Sequence, residues 1–380
     1  MIEIANRLKN VEEYYFSKKL REVAFLKSQG KPIINLGIGS PDLEPPFKAT
    51  MLLRDSLDDQ GANKYQSYQG LPELREEIAN FYDKHYKVSL SSQTEVLPLL
   101  GSKEGIMHVS MAFLNPGDEV LVPNPGYPTY TAVTKLLEAN SVLYDLTEDN
   151  NWQPDFIALE RLDLSKVKIM WINYPHMPTG ANATNKFYDE VIAFGKRHNI
   201  LIVNDNPYSF VLNEKPISIL RYKGAKDVCL ELNSLSKTFN MAGWRVGMLV
   251  GHYDFVSAVL RVKSNMDSGM FYGIQKGAIE ALKCSEMWFV SLNSVYKLRR
   301  ELIWELADGL NCTYDKDATG LFVWAKLPPH LKSEEFTDLV LKEHSIFITP
   351  GTVFGSNGEG YVRFSLCASE DVIKEAIARV

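Results

Sequence analysis

Beyond about residue 60, short continuous apolar runs alternate with stretches whose apolar residues recur at helical spacing. TEVLPLL (94–100) precedes SKEGIMHVSMAFL, in which Ile106, Val109 and Phe113 fall on one helical face. DEVLVP (118–123) and VKIMWINYP (167–175) follow, and after the latter Phe187, Val191 and Phe194 again share a face. ILIVND (200–205) and DVCLELN (227–233) are further unbroken apolar runs. Strands buried on both faces and interleaved with helices predict an α/β fold built on a mainly parallel sheet with helices on each side.

The C-terminal part changes character. The helical pattern KLRRELIWELADGL leads into LFVWAKL, a second helical stretch, IFITPG, YVRFSL and the helix SEDVIKEAIARV, with Ser369 as N-cap. That is a smaller α+β unit. Repeats, low-complexity segments and Pro/Gly/Ser linkers are missing, so the expected division is a large domain over 45–275 and a small one from both chain ends, 1–44 with 276–380.

Composition narrows the class without naming a chemistry. The 380 residues are 45% apolar and 23% charged with a net charge of −6, ordinary for a globular protein and unlike a general nucleic-acid binder. Cys229, Cys284, Cys312 and Cys367 are scattered and form no C-x-x-C, and the seven histidines form no H-E-x-x-H, so no metal site is expected. The start, MIEIANRLKN, has no apolar signal region, and no apolar run reaches the roughly 18–20 residues of a spanning helix. The expectation is a cytoplasmic protein with no membrane partner.

Chemistry enters at SLSKTFNMAGWRVG, Ser234 to Gly247, where Lys237 stands beside Ser236 and Ser234 and eight residues before Arg245. Pyridoxal phosphate enzymes need this grouping: the amine condenses with the cofactor aldehyde, hydroxyls take phosphate oxygens and the arginine neutralises them. Other polar groups lie just after the apolar runs, where ligands bind in an open α/β sheet. Gly101-Ser102-Lys103 opens a helix and offers N–H groups to an anion, though alone it reads equally as a helix cap. Tyr127 follows DEVLVP and alone reads as a packing aromatic. Asp205 closes ILIVND, where a pyridinium N–H would partner a buried acid; the competing reading is an N-cap. Tyr208, three residues on, is within reach of a phenolic oxygen.

With these residues in hand, the chain resembles the fold-type I, class I/II aminotransferases over nearly its whole length, and among them the LL-diaminopimelate aminotransferases. The likeness runs through LGIGSPD (36–42), YQSYQGLPELR (65–75), GSKEGI (101–106), NPGDEVLVPNPGYPTY (115–130), NYPHMPTGA (173–181), SLSKTFNMAGWRVG, KSNMDSGMFYGIQ (263–275) and GEGYVRFSL (358–366). The resemblance implies a main sheet of the seven-stranded type, with Lys237 carrying the Schiff base, Asp205 pairing with the pyridine nitrogen, Tyr208 binding the ring oxygen and Tyr127 stacking on the ring. It assigns the phosphate to Ser102, Lys103, Ser234, Ser236 and Arg245, with Tyr65 reaching in from a neighbouring subunit. The substrate α-carboxylate falls to the backbone of Gly39 and to Arg363, and Tyr15 to the substrate side. Without the family, Arg363 reads as a salt-bridged strand arginine, Gly39 as a turn glycine, and Tyr65 and Tyr15 as packing residues.

One position departs from the family. Asparagine usually precedes Pro-Thr-Gly and bonds the ring oxygen; here Met177 stands there, and a thioether donates no hydrogen bond. The lysine–cofactor linkage should therefore hold its proton to a higher pH, with His176 or a water left to fill the gap. Asn124–Pro125 and Met177–Pro178 are expected to be cis. The implied function is a homodimeric transaminase with shared active sites, moving an amino group between an amino acid and a 2-oxo acid such as 2-oxoglutarate by a ping-pong course. LL-diaminopimelate is favoured as donor, with aspartate, methionine, aromatic amino acids and alanine open. The alternatives are another pyridoxal phosphate enzyme (a β-eliminating C–S lyase, a decarboxylase or a racemase) and a non-catalytic regulator that senses the cofactor. The decarboxylase fits Arg363 poorly, because that residue anchors the carboxylate.

Overall fold

The computed structural model describes residues 2–9, 11, 13 and 15–380. In chain order its strands are β1 (Ile34–Asn35), β2 (Val96–Leu99), β3 (Glu119–Asn124), β4 (Asn140–Asp145), β5 (Val167–Ile172), β6 (Leu201–Asp205), β7 (Cys229–Ser234), β8 (Gly247–Gly251), β9 (Thr313–Tyr314), β10 (Phe322–Lys326), β11 (Ile346–Phe347), β12 (Thr349–Pro350) and β13 (Tyr361–Ser365). Seven of them form the main sheet in the order β2-β8-β7-β6-β5-β3-β4. Only β8 runs antiparallel to its neighbours β2 and β7; the β7-β6-β5-β3-β4 stretch is parallel throughout.

Alternate residues of these strands feed two separate cores. Leu97, Val120, Ile169, Val203 and Leu230 pack in one cluster, while Val96, Leu121, Met170, Ile202 and Cys229 pack in another on the opposite side. Side chains alternate across a strand, so a strand covered on both faces is apolar on both alternations, save where buried polar groups bond each other, as Asn204 Nδ2 does to Glu231 Oε2 at 2.9 Å. The unbroken runs in the sequence record that double burial. Helix Ser102–Phe113 lays Ile106 and Val109 on the first face, and helix Asn185–His198 lays Phe187, Val191 and Phe194 on the second.

The C-terminal strands form a four-stranded sheet, β12-β13-β10-β9, antiparallel at each pairing. β1 pairs in parallel with β11, tying the chain's beginning to its end. A third large core, including Leu36, Ile303, Phe322, Trp324, Val362 and Phe364, lies beneath this smaller sheet. The final helix spans Glu370–Ile377; Ser369 occupies the N-cap position, but its side chain makes no capping hydrogen bond. Both expected proline bonds are cis, and so is Tyr174–Pro175, which nothing in the sequence reading had singled out.

Candidate active site

The carboxyl ends of β5, β6 and β7 open on a cavity of about 480 Å³, bounded on its other side by Phe322 and Arg363 of the smaller sheet. Ser102, Lys103, Tyr127, Asp205, Tyr208, Ser234, Ser236, Lys237, Arg245, Gly39 and Arg363 all line it. Eleven groups chosen from scattered motifs therefore meet in one space.

Two expected residues do not. Tyr65 is 90% exposed and lies outside this cavity. Tyr15 opens the helix Tyr15–Ser28, and its ring packs edge-on to Phe16 at 5.5 Å; Phe16, not Tyr15, lines the cavity. The preceding Tyr14 lies outside the described residues.

One end of the cavity is an anion cup. Gly101 precedes the helix at φ +89°, and a Cβ there would collide with the Arg245 guanidinium, so glycine lets the arginine close over the helix start. Arg245 itself adopts φ +59° and donates to the carbonyls of Ala242 at 2.9 Å and Leu100 at 3.1 Å. Ser234 Oγ donates to Ser236 Oγ at 2.8 Å and accepts from Ser236 N at 3.1 Å. Two hydroxyls, an arginine and the N-terminus of a twelve-residue helix suit a phosphate.

Asp205 is 4% exposed. The Tyr130 hydroxyl donates to its Oδ2 at 3.0 Å, while Oδ1 has no hydrogen-bond partner among the described residues. Burial pushes the carboxyl up to about 7, against the pull of the Tyr130 hydroxyl and of the nearby Ser102 hydroxyl. A buried carboxylate oxygen without a donor fits a protonated ring nitrogen, and the reading of Asp205 as a helix cap falls away. Tyr130, fully buried and stacked on Trp171 at 4.9 Å, is the residue that sequence reading passed over. It stands three positions after Tyr127, so helical spacing alone could have placed the two side by side; their rings meet edge-on at 5.6 Å.

Lys237 lies in the short helix Leu235–Thr238, and its amine donates to the carbonyl of Gly39 at 2.5 Å. Burial lowers its pKa, helped by the charges of Arg363 and Arg245 and opposed by Cys367. That favours the free amine needed for condensation and proton transfer. Burial also raises the Tyr208 phenol, keeping it a donor at neutral pH. Its ring meets Phe322 edge-on at 5.8 Å.

Arg363 is 4% exposed. Its Nη2 donates to the Gly37 carbonyl at 2.9 Å and its Nη1 to Met177 Sδ at 3.3 Å. Phe322, Phe354 and Phe16 stand 3.8, 4.6 and 5.5 Å from its Cζ. His176 does not occupy the place left by the missing amide: it is buried against Thr179 at 2.8 Å, and burial lowers it to about 3. Asn173 lines the cavity instead, its amide already committed to the Asp205 carbonyl and to Met177 N. Among the described residues, no cluster of His, Cys, Asp and Glu could hold a metal, and no helix is long and apolar enough to cross a membrane.

Comparison with known proteins agrees with this geometry. The family model "Aminotransferase class I and II" matches residues 31–380. LL-diaminopimelate aminotransferases from Maridesulfovibrio salexigens and Aquifex aeolicus are 40% and 38% identical, the alignments covering 100% of this chain and 98% and 99% of those proteins. BacF from Bacillus subtilis, in its apo structure, superposes with a TM-score of 0.95 at 36% identity, covering 100% of this chain and 98% of BacF. A lysine amine, a partnerless buried carboxylate oxygen and a phosphate cup in one cavity, on a chain aligned end to end with such relatives, place this enzyme among the pyridoxal phosphate-dependent class I and II aminotransferases.

Proposed function

We propose that this aminotransferase takes its amino group from LL-diaminopimelate and passes it to a 2-oxo acid such as 2-oxoglutarate by a ping-pong course. The relatives' names favour that donor; aspartate, methionine, aromatic amino acids and alanine are the competitors. The observation that carries the reading is the partnerless Asp205 Oδ1 in the same cavity as Lys237 and Arg363.

The cofactor, when bound, supplies an aldehyde and an electron-withdrawing ring. The protein's own groups do the rest. Asp205 would hold a proton on the ring nitrogen, Tyr208 would donate to the ring oxygen, and Tyr127 would cover the ring. Ser102, Lys103, Ser234, Ser236 and Arg245 would hold the phosphate. Arg363 and the Gly39 backbone orient the substrate carboxylate, which fixes the Cα–H bond toward Lys237. The amine of Lys237 then takes and returns that proton.

The exposed Tyr65 belongs, in this reading, to the active site of a second subunit, so the working unit is a homodimer with shared sites. Further parts of the proposal are a cytoplasmic location and a division into a large domain over 45–275 and a small one from 1–44 and 276–380.

A half-reaction screen tests the donor. Each amino acid is added to the cofactor-loaded protein without acceptor, and the visible band is followed. Fast discharge by LL-diaminopimelate supports the proposal; faster discharge by aspartate, methionine or an aromatic amino acid reassigns the donor. Release of pyruvate without discharge would replace transamination with β-elimination.

A further inference from the structure

Arg363 on β13 and Asp205 at the end of β6 belong to different sheets, yet three short links join them. Arg363 Nη1 donates to Met177 Sδ at 3.3 Å, Met177 N donates to Asn173 Oδ1 at 2.9 Å, and Asn173 Nδ2 donates to the Asp205 carbonyl. The Gly37 carbonyl holds the other terminal nitrogen at 2.9 Å, and Phe322 and Phe354 stand against the guanidinium. Gly37 belongs to the segment following β1, which pairs with the C-terminal part of the chain. Among the described residues, the thioether links the guanidinium to the loop that follows β5 of the large sheet, and through Asn173 to the end of β6 at Asp205.

We propose that Met177 is a positioning residue for Arg363: its thioether sets the guanidinium against the rest of the site and so sets how tightly the enzyme takes an α-carboxylate. This rests on the reading of Arg363 as the carboxylate anchor. A bidentate arginine–carboxylate pair needs the guanidinium plane and its rotation in that plane both fixed. Aromatic rings restrain the plane. Rotation is restrained by the acceptors at Nη1 and Nη2, Met177 Sδ and the Gly37 carbonyl. A sulfur acceptor is weak, so it can hold the arginine without competing with an incoming carboxylate. Met177 is 5% exposed and packed in the core around Phe322, which makes leucine a volume-conserving replacement that lacks the acceptor. Glutamine carries an acceptor oxygen at similar reach.

The test uses the cofactor-loaded enzyme as wild type, Met177→Leu and Met177→Gln. Each is titrated calorimetrically with 3-phenylpropanoate and with heptanedioate, which carry carboxylates but no amine to react. The leucine variant should bind both about three- to tenfold more weakly, the range of one modest hydrogen bond. The glutamine variant should stay within about twofold of wild type. Bound cofactor content should be the same in all three. In steady state, the leucine change should raise the donor KM and leave kcat nearly untouched. Wild-type affinity in the leucine variant overturns the proposal, as does a glutamine variant as weak as leucine. If no amino acid discharges the wild-type visible band, the aminotransferase reading fails instead, while the carboxylate titrations still decide the role of Met177.

Discussion

The hydroxyl of Tyr130 donates to Asp205 Oδ2 at 3.0 Å, while Oδ1 has no hydrogen-bond partner among the described residues. The two oxygens of one carboxylate thus have separate tasks. One is held by the protein, with Trp171 stacked behind the tyrosine, and the other is the one that, in the proposed function, would meet the cofactor ring nitrogen.

Removing the hydroxyl should expose how much that arrangement contributes. Tyr130→Phe leaves a buried carboxylate oxygen without its donor, which typically costs about 1–3 kcal/mol. The apo-protein should lose stability by that order in urea titrations. The loaded enzyme should retain its cofactor less well, while carboxylate binding at Arg363 should be unaffected. Unchanged urea midpoints would show that the tyrosine is only packing.

Asp205 makes the apo-protein's stability depend on pH, and the sign follows from its carboxyl being held at about 7, above the usual value of about 4. Between about pH 4 and 7 the folded protein keeps a proton that the unfolded chain has released. Stability from this group therefore falls as pH rises through that window, and the loss is complete above about 7. Asp205→Asn carries no such proton. Its apo form should melt several degrees above wild type at pH 8, with the gap narrowing toward pH 4. The loaded variant should lose about a hundredfold or more in kcat, because the ring nitrogen no longer meets a carboxylate.

Met177→Asn restores an amide near the ring oxygen. The proton on the lysine–cofactor linkage should then leave at lower pH, read as a drop in the pH midpoint of the visible band. A midpoint that stays or rises would mean that Met177 has no bearing on the ring oxygen and that Tyr208 alone serves it.

Gly101→Ala tests the anion cup. The alanine would have to adopt φ near +89° and would press on the Arg245 guanidinium. Cofactor affinity should fall by at least about tenfold by equilibrium dialysis, a loss of the order of one charge-assisted hydrogen bond. Overall folding should be retained, since what the added Cβ meets most closely is the end of a flexible side chain, the Arg245 guanidinium, and not backbone. Wild-type affinity would remove Gly101 from the phosphate site.

Much of this protein was legible in one dimension. Strands such as ILIVND and DVCLELN are mostly apolar on both alternations because both faces of the sheet are covered, and that pattern announces a parallel α/β core before any contact is known. The lysine motif and Asp205 were legible because cofactor chemistry demands particular residue types at strand ends. Tertiary structure decided what depends on through-space direction. Tyr130 reads as one more core aromatic until its hydroxyl is found on Asp205. Tyr15 and Phe16 are adjacent, yet only Phe16 meets the cavity, because the rotation of the helix they open selects between them. Met177 reads as a missing donor to the ring oxygen, and only the fold brings its sulfur to Arg363, 186 residues away in the chain. Local pattern determines which elements form and which chemistry they carry; packing of distant elements determines which atoms meet.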